Sequence, residues 1–327
     1  MTSRLVALFP GQGSQWPGMA APLLAASPAF RSTVAAIDDI VQPLLGWSVA
    51  GELQATDEAS RLEEILVLQV ALFAVEVGLA ATWAERGVRP HAVAGTSLGE
   101  IAAAHVAGIL DLADALHIVI TRSEMLEAQR PAGGTVVVNV DEAEAPQLLS
   151  GLPAPAFVAG FNGPGTTTFS GHEAALVELL RRGEERGVFA ARVRIDYPAH
   201  SPLLAEVGAA LQQRLGGIAP RDSATPFYSA VTGTALAGSS LDAEYWARNL
   251  AAPVLGRQVL DRLLADGYGV ILEMTPHPIF AKPTDDAIAA RGASAIHCPS
   301  LRRRHDPLEC LAAATARLHS AGVHPPE

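Results

Sequence analysis

The chain has 327 residues and a formal net charge of −11, with hydrophobic residues at 49% and charged residues at 17%. This composition excludes disorder as the main state, and the length is sufficient for one large domain or two ordinary ones. The acidic balance argues against nucleic-acid binding, because a phosphate backbone requires a basic surface. Cys298 and Cys310 are too few for a disulfide framework or a metal cluster. No signal peptide or membrane-length apolar segment is evident, so we expect a cytoplasmic protein that binds no membrane.

The first predicted element is a strand over residues 5–9, which ends in the loop 10–15. A helix is predicted over 65–86, where apolar residues recur at helical spacing. A short apolar strand, 92–94, then enters the turn Gly-Thr-Ser-Leu-Gly at 95–99, and a helical stretch follows at once. Strand, tight glycine turn and helix form the context in which Gly-x-Ser-x-Gly indicates a serine nucleophile.

The middle of the chain carries six short predicted elements between about residues 130 and 196. Their order is strand, helix, strand, strand, helix, strand, at 135–140, 142–149, 156–161, 166–170, 173–186 and 189–195. This βαββαβ order is that of the ferredoxin-like unit. We predict a compact small domain inserted in a larger α/β domain, which resumes with helices, a strand at 269–273 and a final helix at 308–320.

Ser97 is the candidate nucleophile, because a serine on a sharp strand-to-helix turn presents its hydroxyl above the sheet edge. The N–H of Leu98 can then stabilise an oxyanion. The alternative is a plain glycine-rich turn. A serine also needs a base, and two histidines in rigid or junction positions are candidates. His200 follows the last strand of the insertion and His277 lies between two prolines; spacing alone does not choose between them.

Several motifs in order resemble the acyltransferase domains of modular polyketide synthases, relatives of the malonyl-CoA:acyl-carrier-protein transacylases. They are FPGQGSQWPGM at 9–19, GTSLGEIAAAHVAG at 95–108, FNGPGTTTFSG at 161–171, DYPAHS at 196–201, YWARNL at 245–250 and EMTPHP at 273–278. The resemblance covers nearly the whole chain. It implies an α/β fold with an α/β-hydrolase-like core, residues 1–129 and 197–327, and the ferredoxin-like insertion at 130–196. In this division, about 298–327 forms a linker-like helix that packs back on the core.

The resemblance implies a dyad in which Ser97 is the nucleophile and His200 the general base. His277 then has a structural role. A backbone carbonyl orients the histidine in this family, and Asn249 is the matching residue. No aspartate is needed, so Asp196 is expected to be structural.

The same resemblance assigns the N–H groups of Gln12 and Leu98 to the oxyanion hole. Further residues match positions that line or shape the substrate site: Gln69, Thr96, Asn162, Tyr197 and Ala199. For Gln69 the alternative is a buried amide that braces the loop. Thr96 stands where the family usually has histidine. Tyr197 resembles methylmalonyl-type domains and Leu98 malonyl-type ones, so the substrate is given only as malonyl-type or alkylmalonyl-type.

Arg122 follows Ser97 by 25 residues and matches the family arginine that binds the free carboxylate of malonyl-type substrates. Without the resemblance, it would be interpreted as a helix-surface arginine. Domains of this type that load carboxylate-free starter acids usually lack it.

The implied activity is ping-pong transfer from acyl-CoA, through an acyl-serine, to the phosphopantetheine of an acyl carrier protein, with no metal and no bound cofactor. Arg302, Arg303 and Arg304 form the clearest basic cluster for an acidic carrier, unless they are only a solvated arginine run. One alternative is a free-standing enzyme that moves a starter or aminoacyl chain between two carrier proteins. A second, ranked below it, is an editing hydrolase that cleaves acyl thioesters. Since Met1 lies close to the first strand, we expect a trans-acting enzyme or an excised domain.

Overall fold

The computed structural model describes residues 3–323. The strands are β1 (Arg4–Phe9), β2 (Ala92–Gly95), β3 (Gly134–Val138), β4 (Ala156–Gly163), β5 (Thr166–Gly171), β6 (Ala190–Arg192), β7 (Phe227–Ser229), β8 (Thr234–Leu236), β9 (Tyr268–Glu273) and β10 (Ile296–Pro299). The helices are α1 (Ala21–Ala26), α2 (Pro28–Leu45), α3 (Val49–Gln54), α4 (Ile65–Glu85), α5 (Gly99–Val106), α6 (Leu112–Gln129), α7 (Ala145–Leu149), α8 (Glu173–Glu185), α9 (Ala205–Arg214), α10 (Ala243–Ala251), α11 (Gly256–Ala265), α12 (Ala281–Arg291) and α13 (Pro307–Ser320).

A six-stranded sheet with the order β10-β9-β1-β2-β7-β8 lies at the centre of the larger part of the fold. Its strands are parallel except β8, which pairs antiparallel with β7. Strands β1 and β2 are buried almost throughout, which is typical of parallel strands covered by helices on both faces. The carboxyl ends of β1 and β2 are neighbours, so the loop after β1 and the turn after β2 lie side by side.

Helix α4 corrects one expectation. It contains a window of mean hydropathy 2.1 and is long and apolar enough to cross a membrane by composition, which the sequence analysis did not recognise. However, 89% of that window is buried inside the fold, which is the behaviour of a core helix. The helix packs against α2, α5 and α6, and its polar residues Gln69, Glu76 and Thr82 are also buried, whereas Glu85 at its carboxyl end is exposed. An apolar helix buried on all sides is expected at the centre of a large core.

A separate four-stranded antiparallel sheet has the order β4-β5-β3-β6, with α7 and α8 in the connections. The succession of strands and helices over 134–192 is the one predicted from the sequence. One face of this sheet forms its own apolar core, in which Val136, Phe169 and Leu176 are fully buried. The small sheet therefore has an apolar core separate from those around the six-stranded sheet.

Strand β4, at one edge of the small sheet, also joins the larger part of the fold. Val254 donates its N–H to the Ala159 carbonyl at 2.9 Å and accepts from the Phe161 N–H at 2.8 Å. A Cβ at Gly160 would lie 2.9 Å from the Val254 Cβ, and one at Gly163 would lie 2.8 Å from Pro283. Glycine is required at both positions because any side chain would separate the strand from its neighbour.

The chain passes from one sheet to the other near residues 130 and 196. Arg130 and Asp196 form an ion pair at these crossings, and both side chains are largely exposed. This contact is the structural role expected for Asp196, outside the candidate site.

Three predicted elements differ in extent. The strand predicted over 189–195 is limited to β6, and the helix predicted over 142–149 begins as a 3₁₀ turn, Glu142–Glu144. The segment predicted as a linker-like helix from about 298 begins instead inside β10, which extends the parallel sheet beside β9. Strand β10 was missed because four residues, one of them His297 and one proline, carry neither alternation nor an apolar run.

Candidate active site

The turn after β2 is sharp, and its two glycines make it possible. Ser97 has φ +54°, in the left-handed region that few non-glycine residues occupy. A Cβ at Gly99 would lie 1.9 Å from the Phe9 carbonyl oxygen, and one at Gly95 would lie 2.6 Å from the Glu100 Cα. The glycines therefore allow α5 to start directly against β1 and β2, with Ser97 at the top of the turn.

His200 is the histidine that contacts Ser97. Its Nε2 lies 2.8 Å from Ser97 Oγ, and its Nδ1 lies 3.1 Å from the Ala252 carbonyl oxygen. A proton on Nδ1 donated to that carbonyl leaves the Nε2 lone pair for the serine hydroxyl. Burial, with a further contribution from the Arg122 charge, lowers the pKa of His200 to about 4. The imidazole is therefore neutral, and able to accept a proton, at physiological pH.

His277, the other candidate, has a different environment. Its Nδ1 accepts a hydrogen bond from the Arg303 N–H at 3.3 Å, and Thr275 donates its hydroxyl to the His277 carbonyl at 3.0 Å. Within residues 3–323, His200 is the histidine that is hydrogen-bonded to Ser97. The geometry thus resolves the choice that spacing left open.

Asn249 contacts the site through its side chain as well as through the carbonyl predicted to orient His200. Its carbonyl favours the protonated form of His200, but the Nδ1 hydrogen bond described above goes to another carbonyl. The Asn249 Nδ2 donates to the Ser97 carbonyl at 3.1 Å and to Glu100 Oε2 at 2.7 Å, and its Oδ1 accepts from Arg122 at 3.1 Å. Asn249 therefore joins the nucleophile turn to the buried arginine.

Glu100 is a site residue that sequence reasoning missed. It is fully buried and accepts hydrogen bonds from the Tyr245 hydroxyl at 2.6 Å, from Asn249 and from the Ala230 N–H. Burial raises its pKa to about 7. A glutamate in the first turn of α5, immediately after the glycine turn, was the signal available, since that turn packs against the sheet.

Two backbone N–H groups beside Ser97 are without an acceptor in the part of the chain that the structure describes, namely those of Gln12 and Leu98. Leu98 follows the nucleophile directly, and Gln12 lies in the loop after β1. A Cβ at Gly11 would lie 3.2 Å from the Leu98 Cβ, so this loop and the nucleophile turn are in close contact. Unpaired N–H groups are the donors that an oxyanion hole needs.

Of the predicted polar residues, Gln12, Gln69 and Tyr197 form one hydrogen-bond network, whereas Thr96 makes a separate hydrogen bond. The Gln12 side-chain oxygen accepts from the Tyr197 hydroxyl at 3.3 Å and from Gln69 at 3.5 Å, and the Gln69 oxygen accepts from Ser123 at 2.9 Å. Gln69 is fully buried. It is thus the bracing amide of the alternative hypothesis. Thr96 donates its hydroxyl to the Pro10 carbonyl at 2.7 Å, which fixes the turn to the neighbouring loop.

Arg122 lies on α6 with only 3% of its surface exposed, so it is not the helix-surface arginine of the alternative interpretation. One guanidinium nitrogen donates to Asn249, while Nε is buried without a partner among the described residues. No carboxylate of residues 3–323 lies within ion-pair distance. Burial lowers the pKa of Arg122, as expected for a cation that lacks an anionic partner.

A cleft of about 570 Å³ opens over Ser97 and His200 between the two sheets. Of the predicted substrate residues, it is lined by Gln12, Thr96, Asn162, Tyr197 and Ala199. Four other predicted site residues are not part of this lining: Leu98, Gln69, Arg122 and Asn249. Phe189, next to β6 of the small sheet, and Lys282, on α12, also line the cleft, and neither was predicted to do so. Among residues 3–323, no Asp or Glu lines the cleft, although the chain is acidic.

The cluster Arg302–Arg304 lies elsewhere, in the exposed loop between β10 and α13. None of these arginines lines the cleft, and none forms an ion pair with a residue of the described range 3–323. The three arginines therefore form a surface separate from the cleft. Within that range, no group of three or more metal-ligating side chains is present.

Residues 6–325 match the family of acyl transferase domains. The chain belongs to this family. It is 41% identical over 321 residues to the spectinabilin polyketide synthase system protein NorA of Streptomyces orinoci, covering 98% of this chain but 17% of NorA. The curated relatives are thus much longer proteins, and they place this acyl transferase domain with those of modular polyketide synthases.

Solved structures agree with this assignment. The acyltransferase domain from module 8 of the salinomycin polyketide synthase is 39% identical, with a TM-score of 0.94 over 99% of this chain and 78% of that one. The loading acyltransferase of the avermectin synthase is 37% identical, with a TM-score of 0.91 over 96% and 99% of the two chains. The mixed α/β fold is therefore that of acyltransferase domains.

Proposed function

We propose that this acyl transferase domain moves a malonyl-type or alkylmalonyl-type group from CoA to the phosphopantetheine thiol of an acyl carrier protein, through an acyl ester of Ser97. The observation that carries the proposal is the 2.8 Å contact between Ser97 Oγ and His200 Nε2 at the base of the cleft. The N–H groups of Gln12 and Leu98 have no acceptor among residues 3–323, which leaves them available to an oxyanion. Nucleophile, base and oxyanion donors are the minimum set for acyl transfer.

In the first half-reaction, Ser97 Oγ attacks the thioester carbonyl carbon while its proton passes to His200 Nε2. The carbonyl oxygen becomes an oxyanion that the Gln12 and Leu98 amides stabilise. When the C–S bond breaks, the proton moves from Nε2 to the sulfur and CoA leaves as a thiol. In the second half-reaction, the carrier thiol gives its proton to Nε2 and its sulfur attacks the ester carbonyl. When the C–O bond to serine breaks, Nε2 returns the proton to Oγ and Ser97 leaves as the hydroxyl.

The choice of a carboxylated acyl group rests on Arg122. A buried guanidinium with one unsatisfied nitrogen and no carboxylate partner in residues 3–323 is an incomplete ion pair. A malonyl-type carboxylate would complete it, since arginine binds carboxylates in a bidentate manner. Arg122 is not among the residues that line the cleft, so the carboxylate would have to reach past the lining, toward Asn249 and His200.

The architecture supports a finer fold assignment within this proposal. The mainly parallel sheet with the serine on a strand-to-helix turn corresponds to an α/β-hydrolase-like core. The inserted βαββαβ unit with the strand order β4-β5-β3-β6 corresponds to a ferredoxin-like small domain. The boundaries near 130 and 196 follow from the two chain crossings.

A second candidate is the transfer of a starter or aminoacyl chain between two carriers. Thr96 favours it, since a short side chain bonded to Pro10 leaves space where the family usually has histidine. The similarity to a loading acyltransferase is a further argument. An editing hydrolase would use the same dyad with water in place of the carrier thiol.

Intact-mass spectrometry after incubation with a panel of acyl-CoAs and acyl carriers tests these functions. We expect malonyl-type CoA esters to add one acyl group, on the peptide that contains 95–99, and Ser97→Ala to abolish both adduct and transfer. Adduct formation from acyl carriers but not from CoA would favour the second candidate. Labelling of any other residue in the wild type would exclude Ser97 as the nucleophile.

A further inference from the structure

Glu76 is a buried acid that the mechanism above does not use. It lies on α4, is fully buried, and is surrounded by the apolar residues of the main core. Its Oε1 accepts a hydrogen bond from the Gly11 N–H at 2.9 Å, across 65 residues of sequence. Its Oε2 is buried without a partner among the described residues. The single contact of this carboxyl group is therefore with the loop that carries Gln12.

Gly11 is held tightly between Glu76 and the nucleophile turn. Its φ is +82°, and a Cβ there would lie 2.9 Å from the Gly99 N and 3.2 Å from the Thr96 carbonyl oxygen. Pro10, the residue before Gly11, is also held, because its carbonyl accepts a hydrogen bond from the Thr96 hydroxyl. One side of the loop is thus attached to the turn and the other side to Glu76.

The charge state of Glu76 is suited to this position. Burial in the apolar core raises its pKa to about 8, and the carboxylate of Glu273 contributes in the same direction. As a neutral acid, Glu76 keeps a carbonyl oxygen for the Gly11 N–H and places no negative charge behind the loop. A negative charge there would oppose an oxyanion forming on the other side.

We propose that Glu76 is a positioning residue for the oxyanion hole: by holding Gly11, its Oε1 fixes the N–H of Gln12 beside that of Leu98. The proposal rests on the function assigned to Gln12 above. It explains why a carboxyl group is retained in the most apolar helix of the fold, where its desolvation is unfavourable. Glu76 is not among the residues that line the cleft.

Two variants separate positioning from packing. Glu76→Met removes the acceptor and fills similar volume, whereas Glu76→Gln retains a neutral acceptor for Gly11. Leu79→Ala, at a fully buried position on the same helix, is the control for lost stability. All three are compared with the wild type in pre-steady-state acylation of Ser97, alongside thermal unfolding.

We expect Glu76→Met to lower the acylation rate constant about 10-fold to 100-fold, since full loss of one oxyanion donor costs about 10²–10³. The apparent affinity for the acyl donor should change less than about threefold, because ground-state binding is not altered. Glu76→Gln and Leu79→Ala should both acylate at rates near that of the wild type. Wild-type rates in Glu76→Met, or equal losses in Glu76→Gln or Leu79→Ala, would overturn the proposal.

Amide hydrogen exchange provides a readout that does not depend on catalysis. Exchange of the peptide containing 9–19 should accelerate in Glu76→Met and stay unchanged in Glu76→Gln. Unchanged exchange in Glu76→Met would show that Glu76 does not hold the loop. If the wild type itself forms no acyl-Ser97, the proposed function fails, and the exchange experiment still decides the role of Glu76.

Discussion

The pKa of His200 determines the pH range in which Ser97 can be activated. Burial and the nearby Arg122 charge lower that pKa to about 4, so the base is already neutral well below physiological pH. The unfolded chain binds a proton at this histidine near pH 6.5. The depressed pKa therefore contributes stability that is present above pH 6.5 and is lost as the pH falls through about 4.

The first prediction concerns this base. The acylation rate should stay level from pH 8 to about 5 and fall only as the pH approaches 4, because protonation of His200 removes the acceptor. His200→Ala should lower transfer about 100-fold or more while the protein remains folded. His277→Ala is the matched control and should retain wild-type transfer, since its ring bonds to Arg303 instead. A larger loss in the control would assign the base to His277.

The second prediction concerns Arg122. If its guanidinium pairs with a substrate carboxylate in a desolvated site, Arg122→Ala should cost about 2–5 kcal/mol for methylmalonyl loading. Propionyl loading should be spared, since propionyl lacks only that carboxylate. The measurement is the ratio of methylmalonyl to propionyl loading on Ser97, in wild type and variant. An unchanged ratio would favour a neutral starter or aminoacyl chain.

At the scale of elements, the nucleophile turn was predictable because its function depends on local geometry. Gly95 and Gly99 stand where a Cβ would meet backbone atoms, so the turn leaves a sequence motif. The network around Asn249 was not predictable, since its partners Ser97, Glu100 and Arg122 come from distant parts of the chain. Only folding brings such residues together.

The same contrast applies to helices and strands. Strand β1 was predicted to within one residue by its apolar run, and α4 by its helical spacing. The three-residue strands β7 and β8 and the four-residue β10 were not, because pairing with neighbours, rather than their own residues, defines them. The single carboxyl contact of Glu76 left no local pattern either.

The third prediction follows from the approach of α5 to β1. Gly99→Ala would place a Cβ 1.9 Å from the Phe9 carbonyl oxygen, so either the turn or the strand must move. We expect a loss of about 1–3 kcal/mol or more in unfolding free energy, together with loss of acylation. Gly217→Ala, where a Cβ meets nothing within 4 Å, is the control and should leave both unchanged. Chemical denaturation and the acylation assay measure the two effects, and a fully active Gly99→Ala protein would contradict the geometry.

At the scale of the whole molecule, charge is distributed unevenly. The chain carries a net charge of −11, yet no Asp or Glu of the described part of the chain lines the cleft, and Arg302–Arg304 form an exposed basic loop. We propose this loop as a docking surface for an acidic carrier protein. Long-range attraction of this kind raises association rates and weakens with salt.

The fourth prediction tests this surface. Arg302→Ser combined with Arg303→Ser should lower kcat/KM for the carrier about twofold to tenfold at low salt, with CoA-dependent acylation unchanged. Arg304 is left in place because its φ of +66° makes that position sensitive to substitution. The matched control is Arg86→Ser with Arg89→Ser, which removes the same charge from exposed positions elsewhere. Equal losses in both double variants would assign the effect to net charge and not to docking.

The edge strand β4 limits which related domains could exchange their small-sheet segment with this one. Because the chain enters and leaves the small sheet at neighbouring positions near Arg130 and Asp196, the segment between them could be exchanged as a cassette. The other interface between this segment and the rest of the fold is the contact of β4 with Val254 and Pro283. A segment taken from a relative would need glycine at the positions of Gly160 and Gly163. Any side chain there would separate β4 from Val254 and Pro283. A chimaera of this domain and a relative therefore depends on these two glycines as well as on the two points where the segments are joined.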